Sequence, residues 1–138
     1  MQKFPYFQGR PHLPLILEYG DRQERFLPLL DSGADFSIFH RSALAILGLD
    51  WEQGAPRNYD NADGTSFIAR EFILSVEIGG IRFPARISFA DDPSLRVRPL
   101  LGRTDIFDKF RIIFCEQEQY VELKPYTREH HDCGAGEQ

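Results

Sequence analysis

The sequence predicts a single domain of the mainly β class. Three observations lead to this class: apolar residues recur in many short runs, tight-turn signals separate these runs, and one segment alone has helical spacing over more than about two turns. A chain of 138 residues is most simply one domain, and it can bury roughly two-thirds of its unfolded surface around one core. The twelve phenylalanines predict that this core is bulky.

The first half of the chain begins with a predicted arm and then a hairpin. Residues 1–10 are interrupted by proline and glycine and are assigned to an N-terminal arm. The runs HLPLILEY and ERFLPLL flank a turn and predict a hairpin that leads to Asp31. The run FSIF then predicts a short strand, and RSALAILGL, with Gly48 near its end, predicts one or two helical turns.

The second half of the chain predicts three more hairpins. The segment NADG separates two of the strands and Gly79-Gly80 separates the next two, because these residues readily supply the positive φ of tight turns. The stretch DDPSLRVRP predicts a loop with a short strand. The stretch LLGRTDIFDKF predicts a strand end that runs into a short helix, and RIIFCEQEQYVELKP predicts a last hairpin. The domain therefore spans residues 11–126, and the polar residues 127–138 are predicted to form a flexible tail.

Charge and hydropathy exclude several classes of partner. The formal charge is −5 and no block of Lys or Arg occurs, which argues against a nucleic-acid partner and against acidic substrates. The longest apolar run, Ala43 to Leu47, is far shorter than the ~20 residues of a membrane span. The proline-rich start does not resemble a secretory signal, so we expect a cytoplasmic protein with no membrane partner. We expect Cys115 and Cys133 to be free thiols.

The segment LPLLDSGADFSIF places Asp31 and Asp35 between two apolar runs. Carboxylates avoid dry interiors unless a partner holds them or a reaction uses them. Taken alone, Asp31 is most simply a turn residue at the end of a strand, because Asp-Ser-Gly is a common turn pattern. A second motif, PLLGRTD, follows later in the chain and favours a functional interpretation.

Together, the two motifs resemble those of the retropepsin family of single-domain aspartic proteases. The family pattern is an apolar run, Asp, Ser or Thr, Gly, Ala and often a second Asp, followed later by two apolar residues, Gly, Arg and a short helix. The residues that match it are Leu29, Leu30, Asp31, Ser32, Gly33, Ala34 and Asp35, then Leu100, Leu101, Gly102 and Arg103. The resemblance covers roughly residues 11–125, and it implies an all-β retropepsin-like acid protease barrel with one or two short helices. The extra hairpin from Arg111 to Lys124 looks more like cellular and bacterial relatives.

The resemblance implies an aspartic endopeptidase that needs no cofactor and no metal. In such a reaction one carboxylate takes a proton from water while another carboxyl group donates a proton to the peptide carbonyl. This chain holds one Asp-Ser-Gly triplet, so the second Asp31 has to come from a symmetry mate in a homodimer. The alternative is a catalytically weak or inactive dimer of the same fold that binds peptides as a scaffold. A third possibility is a monomeric β-barrel binding domain in which Asp31 is only a turn residue.

The residues that follow Asp31 receive roles in the supporting loop. Gly33 permits the turn that brings backbone N–H groups to the carboxylate. By resemblance, Ser32 hydrogen-bonds across the dimer axis. Ala34 offers no hydroxyl, so the ionised aspartates have one donor fewer than in relatives with Ser or Thr there. We therefore expect a less acidic pH optimum.

Substrate contacts are expected from Asp35 and from a flap. Asp35 and Arg103 match family positions that form an ion pair beside the site, with the acidic partner also contacting the substrate backbone; a purely structural pair is the alternative. The hairpin tip, consisting of Asn61, Ala62, Asp63 and Gly64, is expected to close over an extended peptide. A plain hairpin is the alternative there. Side chains at the cleaved bond are expected to be apolar.

The other residues with possible chemical roles are interpreted as structural. Three apolar residues after the second motif are expected in the core, two isolated histidines have no nucleophile motif beside them, and the His and Cys residues of the tail lack the spacing of a zinc site. These groups are Ile106, Phe107 and Phe110; His12 and His40; and His130, His131, Asp132 and Cys133.

Overall fold

The computed structural model describes residues 1–126. These residues form eleven strands: β1 (Gln2–Pro5), β2 (Leu15–Tyr19), β3 (Arg22–Phe26), β4 (Leu29–Leu30), β5 (Ser37–His40), β6 (Ala55–Asp60), β7 (Ser66–Ile78), β8 (Ile81–Ala90), β9 (Leu100–Leu101), β10 (Phe110–Cys115) and β11 (Tyr120–Pro125). They also form two single-turn helices, α1 (Ala43–Ile46) and α2 (Ser94–Val97), and two 3-10 helices, Trp51–Gln53 and Phe107–Lys109. The predicted all-β class is confirmed.

A small antiparallel sheet joins the two ends of the described chain. Its strand order is β1-β11-β10, so the last strand lies in the centre. The segment predicted to be an arm therefore contributes a strand, in which Gln2 pairs with Leu123 and Pro5 with Tyr120. The side-chain amide of Gln2 also donates to the carbonyl of Gly79 at 3.0 Å, which ties this sheet to the β7–β8 turn.

The larger sheet has eight strands and curls into a half barrel. Seven strands follow the order β3-β2-β7-β8-β5-β9-β4, and β6 pairs with β7. Most neighbours are antiparallel, but β5 pairs with β8 and β4 with β9 in parallel. The β4–β9 pair places the segment after β4 next to the segment after β9, because the two strands run in the same direction.

The predicted hairpins are confirmed. The chain reverses between β2 and β3, between β6 and β7, between β7 and β8, and between β10 and β11. At the β7–β8 turn, Gly79 has φ of 58° and Gly80 has φ of 82°. Glycine adopts these values without the steric cost that a side chain would add, so this turn closes tightly enough to pair Ile78 with Ile81.

The main core lies inside the curled sheet. Alternating residues of β2, β7 and β8 point into it, as period-two strands with one buried face require. Phe39 and Phe89 are almost completely buried, and their ring centroids lie 6.2 Å apart. Two of the residues predicted for the core, Ile106 and Phe110, are buried there, and Phe107 packs against it partly buried.

A second, smaller apolar cluster lies where the start of β7 pairs with the end of β8. It consists of Ala69, Ala90 and Leu95, with partly buried neighbours that include Tyr59 and Phe67. Ala69 pairs with Ala90 across the two strands, and their small side chains leave room for Leu95 of α2. This cluster therefore attaches both α2 and the β6–β7 hairpin to the sheet.

The segment DDPSLRVRP differs from its prediction. It forms the single helical turn α2, and the short strand comes directly after it as β9. The carboxylate of Asp92 accepts hydrogen bonds from both the backbone N–H and the hydroxyl of Ser94, each at 3.0 Å, and Pro93 has φ of −57°. These contacts start a helix at its first turn. No helix within residues 1–126 is long and apolar enough to cross a bilayer.

Candidate functional site

Asp31 directly follows β4, where two different segments hold the backbone. The N–H of Leu30 donates to the carbonyl of Pro11 at 2.8 Å, and the N–H of Asp31 donates to the carbonyl of Leu101 at 3.0 Å. Leu30 itself is buried. The backbone at Asp31 is therefore fixed between an apolar anchor and β9, while its side chain stays partly accessible.

The loop after Asp31 folds back onto its carboxylate. The backbone N–H of Gly33 donates to Oδ1 of Asp31 at 2.9 Å, and the N–H of Ala34 donates to the carbonyl of Asp31 at 3.2 Å. A Cβ at position 33 would approach Oδ1 to 3.3 Å, so the missing side chain of Gly33 leaves the carboxylate room. Within residues 1–126 the exposed Ser32 hydroxyl has no hydrogen-bond partner in its own chain.

The two sequence motifs meet in the structure. The N–H of Gly102 donates to the hydroxyl of Ser37 at 2.9 Å in a fully buried contact. The N–H groups of Arg103 and Thr104 donate to the carbonyls of Ala34 and Asp35, each at 2.9 Å. A Cβ at Gly102 would overlap the carbonyl of Phe36, so glycine is the residue that lets the two loops pack this closely.

The predicted ion pair between Asp35 and Arg103 is not formed within the described part of the single chain, and it stays a prediction. Within residues 1–126, both side chains line a cavity of about 580 Å³ without pairing. The carboxylate that pairs here is Asp105, which receives Nε of Arg86 at 2.8 Å and Nη2 at 3.0 Å. Asp105 has φ of 66°, and its carboxylate also accepts the backbone N–H of Arg86 at 3.0 Å, so a contact with the distant strand β8 fixes its position.

This bidentate pair has an electrostatic consequence. The hydrogen bonds from Arg86 lower the pKa of Asp105 below its ordinary value, and they raise the pKa of Arg86. Charge-assisted bidentate contacts favour both ionised forms. Asp105 therefore remains a carboxylate to lower pH than an ordinary aspartate.

The hairpin tip between β6 and β7 is held by its own hydrogen bonds. The N–H of Asn61 donates to the carbonyl of Thr65 at 2.7 Å, and Gly64 has φ of 90°. The hydroxyl and the N–H of Thr65 donate to Oδ1 of Asp63 at 2.6 and 2.9 Å, which lowers the pKa of Asp63. The tip is thus a well-formed turn whose outer residues are exposed.

A groove of about 750 Å³ runs between Asp31 and this hairpin. Of the residues predicted for the site, it brings together Asp31, Gly33, Ala34, Asp35, Asn61 and Ala62. Ser32, Asp63, Gly64 and Arg103 do not line it. The groove also receives Asp60 and Asp92. Among residues 1–126, four aspartates therefore line it, and no Lys or Arg does.

Sequence reasoning did not predict a cluster of three aromatic rings at the base of the β6–β7 hairpin. The ring of Tyr59 lies 5.0 Å from that of Phe36 and 5.6 Å from that of Phe67, measured between centroids. The Tyr59 hydroxyl shares a hydrogen bond of 2.7 Å with the hydroxyl of Ser88 on β8. All three rings line the groove. The one signal in the sequence that could have indicated these rings is Phe36, because it directly follows the Asp31 motif.

The remaining predictions concern cysteine, histidine and metal. Cys115 is a free thiol. His12 is buried, and its Nδ1 lies 3.0 Å from the carbonyl of Leu27. In the part of the chain that the structure describes, no three His, Cys, Asp or Glu side chains come together as metal ligands. His130, His131, Asp132 and Cys133 lie outside the described residues.

One chain places the carboxylate of Asp31 in a groove that the β6–β7 hairpin borders and that apolar side chains also line. Such a carboxylate can act as a general base toward water, but a second acid is needed to protonate a leaving group. In comparisons with known proteins, no family model matches this chain, and no curated protein matches it. The interpretation of the site therefore depends on its geometry.

Proposed function

We propose that this chain is an aspartic endopeptidase of the retropepsin type that works as a homodimer. The observation that carries the proposal is the geometry of Asp31: its carboxylate accepts a backbone N–H at 2.9 Å and lines a groove that a β-hairpin borders on the other side. A turn aspartate with no further role has no need of an open groove. The meeting of the Asp-Ser-Gly loop with Gly102 also supports the proposal.

The homodimer supplies the second acid. In an isologous dimer a residue near the twofold axis meets its own copy, so two Asp31 side chains share one proton. The ionised one takes a proton from water, and the protonated one donates to the peptide carbonyl. The Ser32 hydroxyl, which has no partner within residues 1–126, would then donate across the axis to the partner loop.

The substrate would be an extended peptide. Backbone groups of the groove hydrogen-bond such a peptide as an added strand, and alternate side chains enter pockets. The apolar residues Ile38, Phe67, Leu95 and Leu100 line the groove and favour apolar side chains near the cleaved bond. The exposed tip of the β6–β7 hairpin would close over the peptide and exclude water.

The charge of the groove favours basic residues elsewhere in the peptide. Asp35, Asp60 and Asp92 line the groove beside Asp31, and within the described part of the chain no cationic side chain lines it. A groove of one sign raises the local concentration of ligands of the opposite sign. Peptides with Lys or Arg flanking an apolar cleavage site are therefore the preferred substrate class.

The test is cleavage of an unfolded protein at mildly acidic pH. We expect wild-type protein to cleave it, Asp31→Asn to be inactive, and pepstatin-type compounds to inhibit. Asp21→Asn, which changes an exposed aspartate in the β2–β3 turn, is the matched control and should keep full activity. Cleavage that survives in Asp31→Asn would overturn the proposal. Peptide binding by wild-type protein without any cleavage would favour a scaffolding dimer.

A further inference from the structure

Tyr59 joins the β6–β7 hairpin to the interior of the larger sheet. It lies near the end of β6, and it pairs with Phe67 of β7. Its hydroxyl shares a hydrogen bond of 2.7 Å with the hydroxyl of Ser88 on β8. Ser88 is 1% exposed, and it pairs with Glu71 of β7 on one side and with Ile38 of β5 on the other. A side chain of the hairpin thus reaches a buried polar group inside the sheet.

The outer part of the hairpin, residues 58–68, has few other attachments to the domain. β7 begins to pair with β8 only at Ala69, so residues 66–68 pair with β6 alone. Within residues 1–126, the Tyr59 hydroxyl makes the one side-chain hydrogen bond between this outer part and the rest of the chain. The other side-chain hydrogen bonds of the tip, among Asn61, Asp63 and Thr65, stay inside the hairpin. The position of the outer part therefore depends on the Tyr59 side chain and on apolar packing.

The ring of Tyr59 also contacts the loop that follows Asp31. Its centroid lies 5.0 Å from that of Phe36, and the two ring planes are tilted by 36°. Aromatic rings at this distance attract each other. The backbone of this loop is itself held in place, because the carbonyl of Phe36 packs against Gly102 with no room for a Cβ there. One side chain therefore connects the hairpin both to β8 and to the loop of the candidate catalytic aspartate.

The burial of Ser88 gives the hydroxyl contact its weight. In the described part of the chain, the Ser88 hydroxyl has no hydrogen-bond partner other than Tyr59. A hairpin that moved away from the sheet would leave this hydroxyl without a partner at a position that water hardly reaches. An unpaired buried hydroxyl is costly, whereas an exposed one is solvated. The hydrogen bond therefore favours the one position of the hairpin in which Tyr59 reaches Ser88.

We infer that Tyr59 is a positioning residue that holds the β6–β7 hairpin in one place beside the groove. Its hydroxyl bond to Ser88 and its ring contact with Phe36 fix the base of the hairpin relative to Asp31, so that movement is confined to the tip, residues 61–64. A hairpin held in this way is already arranged for a peptide, which lowers the cost of ordering it on binding. Without the hydroxyl the hairpin occupies more positions, and fewer of them bind a peptide.

The effect on peptide cleavage rests on the proposed function, but the position of the hairpin does not. For cleavage, Tyr59→Phe should raise the KM for a peptide about threefold to tenfold, which is the change in an equilibrium that one hydrogen bond of ordinary strength supports. The kcat should change much less, because the lost hydroxyl is bonded to Ser88 and not to the reacting atoms.

The experiment measures hydrogen exchange of the backbone amides together with the kinetics of cleavage. Exchange is followed in full-length Asp31→Asn, so that no cleavage occurs. When Tyr59→Phe is added, the hydrogen-bonded amides of residues 58–68 should exchange faster, while those of β2 and β11 keep their rates. Ser88→Ala should have the same effect as Tyr59→Phe. The double variant should add little to either single change, because both changes remove the same hydrogen bond.

The matched control is Tyr6→Phe, which also removes a hydroxyl hydrogen bond, the one of 3.1 Å to Glu116 in the β10–β11 turn. It should leave hairpin exchange and KM unchanged. The inference is overturned if the hairpin amides keep their exchange rates in Tyr59→Phe, or if they exchange equally fast in Tyr6→Phe. It is also overturned if wild type cleaves peptides and Tyr59→Phe leaves KM unchanged or lowers kcat instead. If wild type cleaves nothing but Tyr59→Phe alone speeds hairpin exchange, the proposed function has failed and this inference has not.

Discussion

Ser37 and Gly102 lie 65 residues apart in the sequence and share a buried hydrogen bond of 2.9 Å. Ser37 begins β5, and Gly102 directly follows β9. Through this contact, the loop that carries Asp31 is held against the loop that carries Arg103. The geometry of the groove thus depends on a hydroxyl and a missing side chain that both lie outside the groove.

Removing the Ser37 hydroxyl should destabilise the fold. In Ser37→Ala, the buried N–H of Gly102 has no acceptor, which costs about 1–3 kcal/mol in the free energy of unfolding. Gly102→Ala should cost more, because its Cβ overlaps backbone. Urea unfolding measures both. Ser66→Ala, at an exposed serine, is the control and should be nearly neutral; an equally small effect at Ser37 would contradict this account.

A hydroxyl at position 34 should move the pH optimum. Ala34 lies in the groove beside Asp31, and a serine there can donate a hydrogen bond to the ionised carboxylate. A donor to the charged form lowers the pKa of a carboxyl group, so activity should extend to lower pH. The pH profile of kcat/KM for Ala34→Ser should therefore shift downward. Ala62→Ser, at the hairpin tip, is the control, and a profile of Ala34→Ser that stays in place would count against the prediction.

The Arg86–Asp105 pair should make stability depend on acidity. The pKa of Asp105 is lowered in the folded chain, so the pair contributes fully above the pKa of an unfolded aspartate, about 3.9. That contribution is lost as the pH falls through the lower folded pKa. Wild type should be more stable than Asp105→Asn at neutral pH, and the difference should shrink in acid.

Urea unfolding at several pH values measures this difference. Asp108→Asn, at an exposed neighbour whose carboxylate lies 3.0 Å from Nζ of Lys109, is the control. It should show a smaller effect, since exposed pairs contribute little. If the difference in free energy of unfolding between wild type and Asp105→Asn stays constant down to strong acid, the ionised carboxylate is not the source of the stabilisation.

The acidic groove should select basic peptides. Asp60 is exposed at the end of β6 and lines the groove, so Asp60→Asn removes one charge with little change in shape. The ratio of kcat/KM for a Lys-containing peptide to that for its Gln analogue should fall in this variant. Added salt should also lower the ratio in wild type, because salt screens exposed charges. An unchanged ratio in Asp60→Asn, equal to that in Asp21→Asn, would contradict the prediction.

Much of the fold could be read from local sequence. The turns at Asn61–Gly64 and Gly79-Gly80 depend on residues next to each other, since glycine alone accepts their positive φ without steric cost. Alternation in β2, β7 and β8 follows from one buried face. The position of Asp31 at a strand end, with Gly33 folded back on its carboxylate, also follows from residues that are neighbours in the sequence.

The predictions that were wrong concern segments whose structure depends on contacts with distant parts of the chain. α2 begins because Asp92 and Pro93 start a helical turn, but Leu95 keeps it in place through contacts with Ala69 and Ala90. Residues 2–5 form a strand only because β11, at the other end of the domain, offers an unpaired edge. Neither choice is visible in the local pattern.

The sequence by itself determined the all-β class, the hairpins and the candidate aspartate, because each depends on the conformational preferences of neighbouring residues. Only the tertiary structure decided that Arg86 pairs with Asp105, that Asp35 and Arg103 form no ion pair within residues 1–126, and that His40 contacts the helix beside the groove. The physical reason is that ion pairs and buried hydrogen bonds form over a few ångströms. Which groups come that close depends on how strands far apart in the chain are arranged.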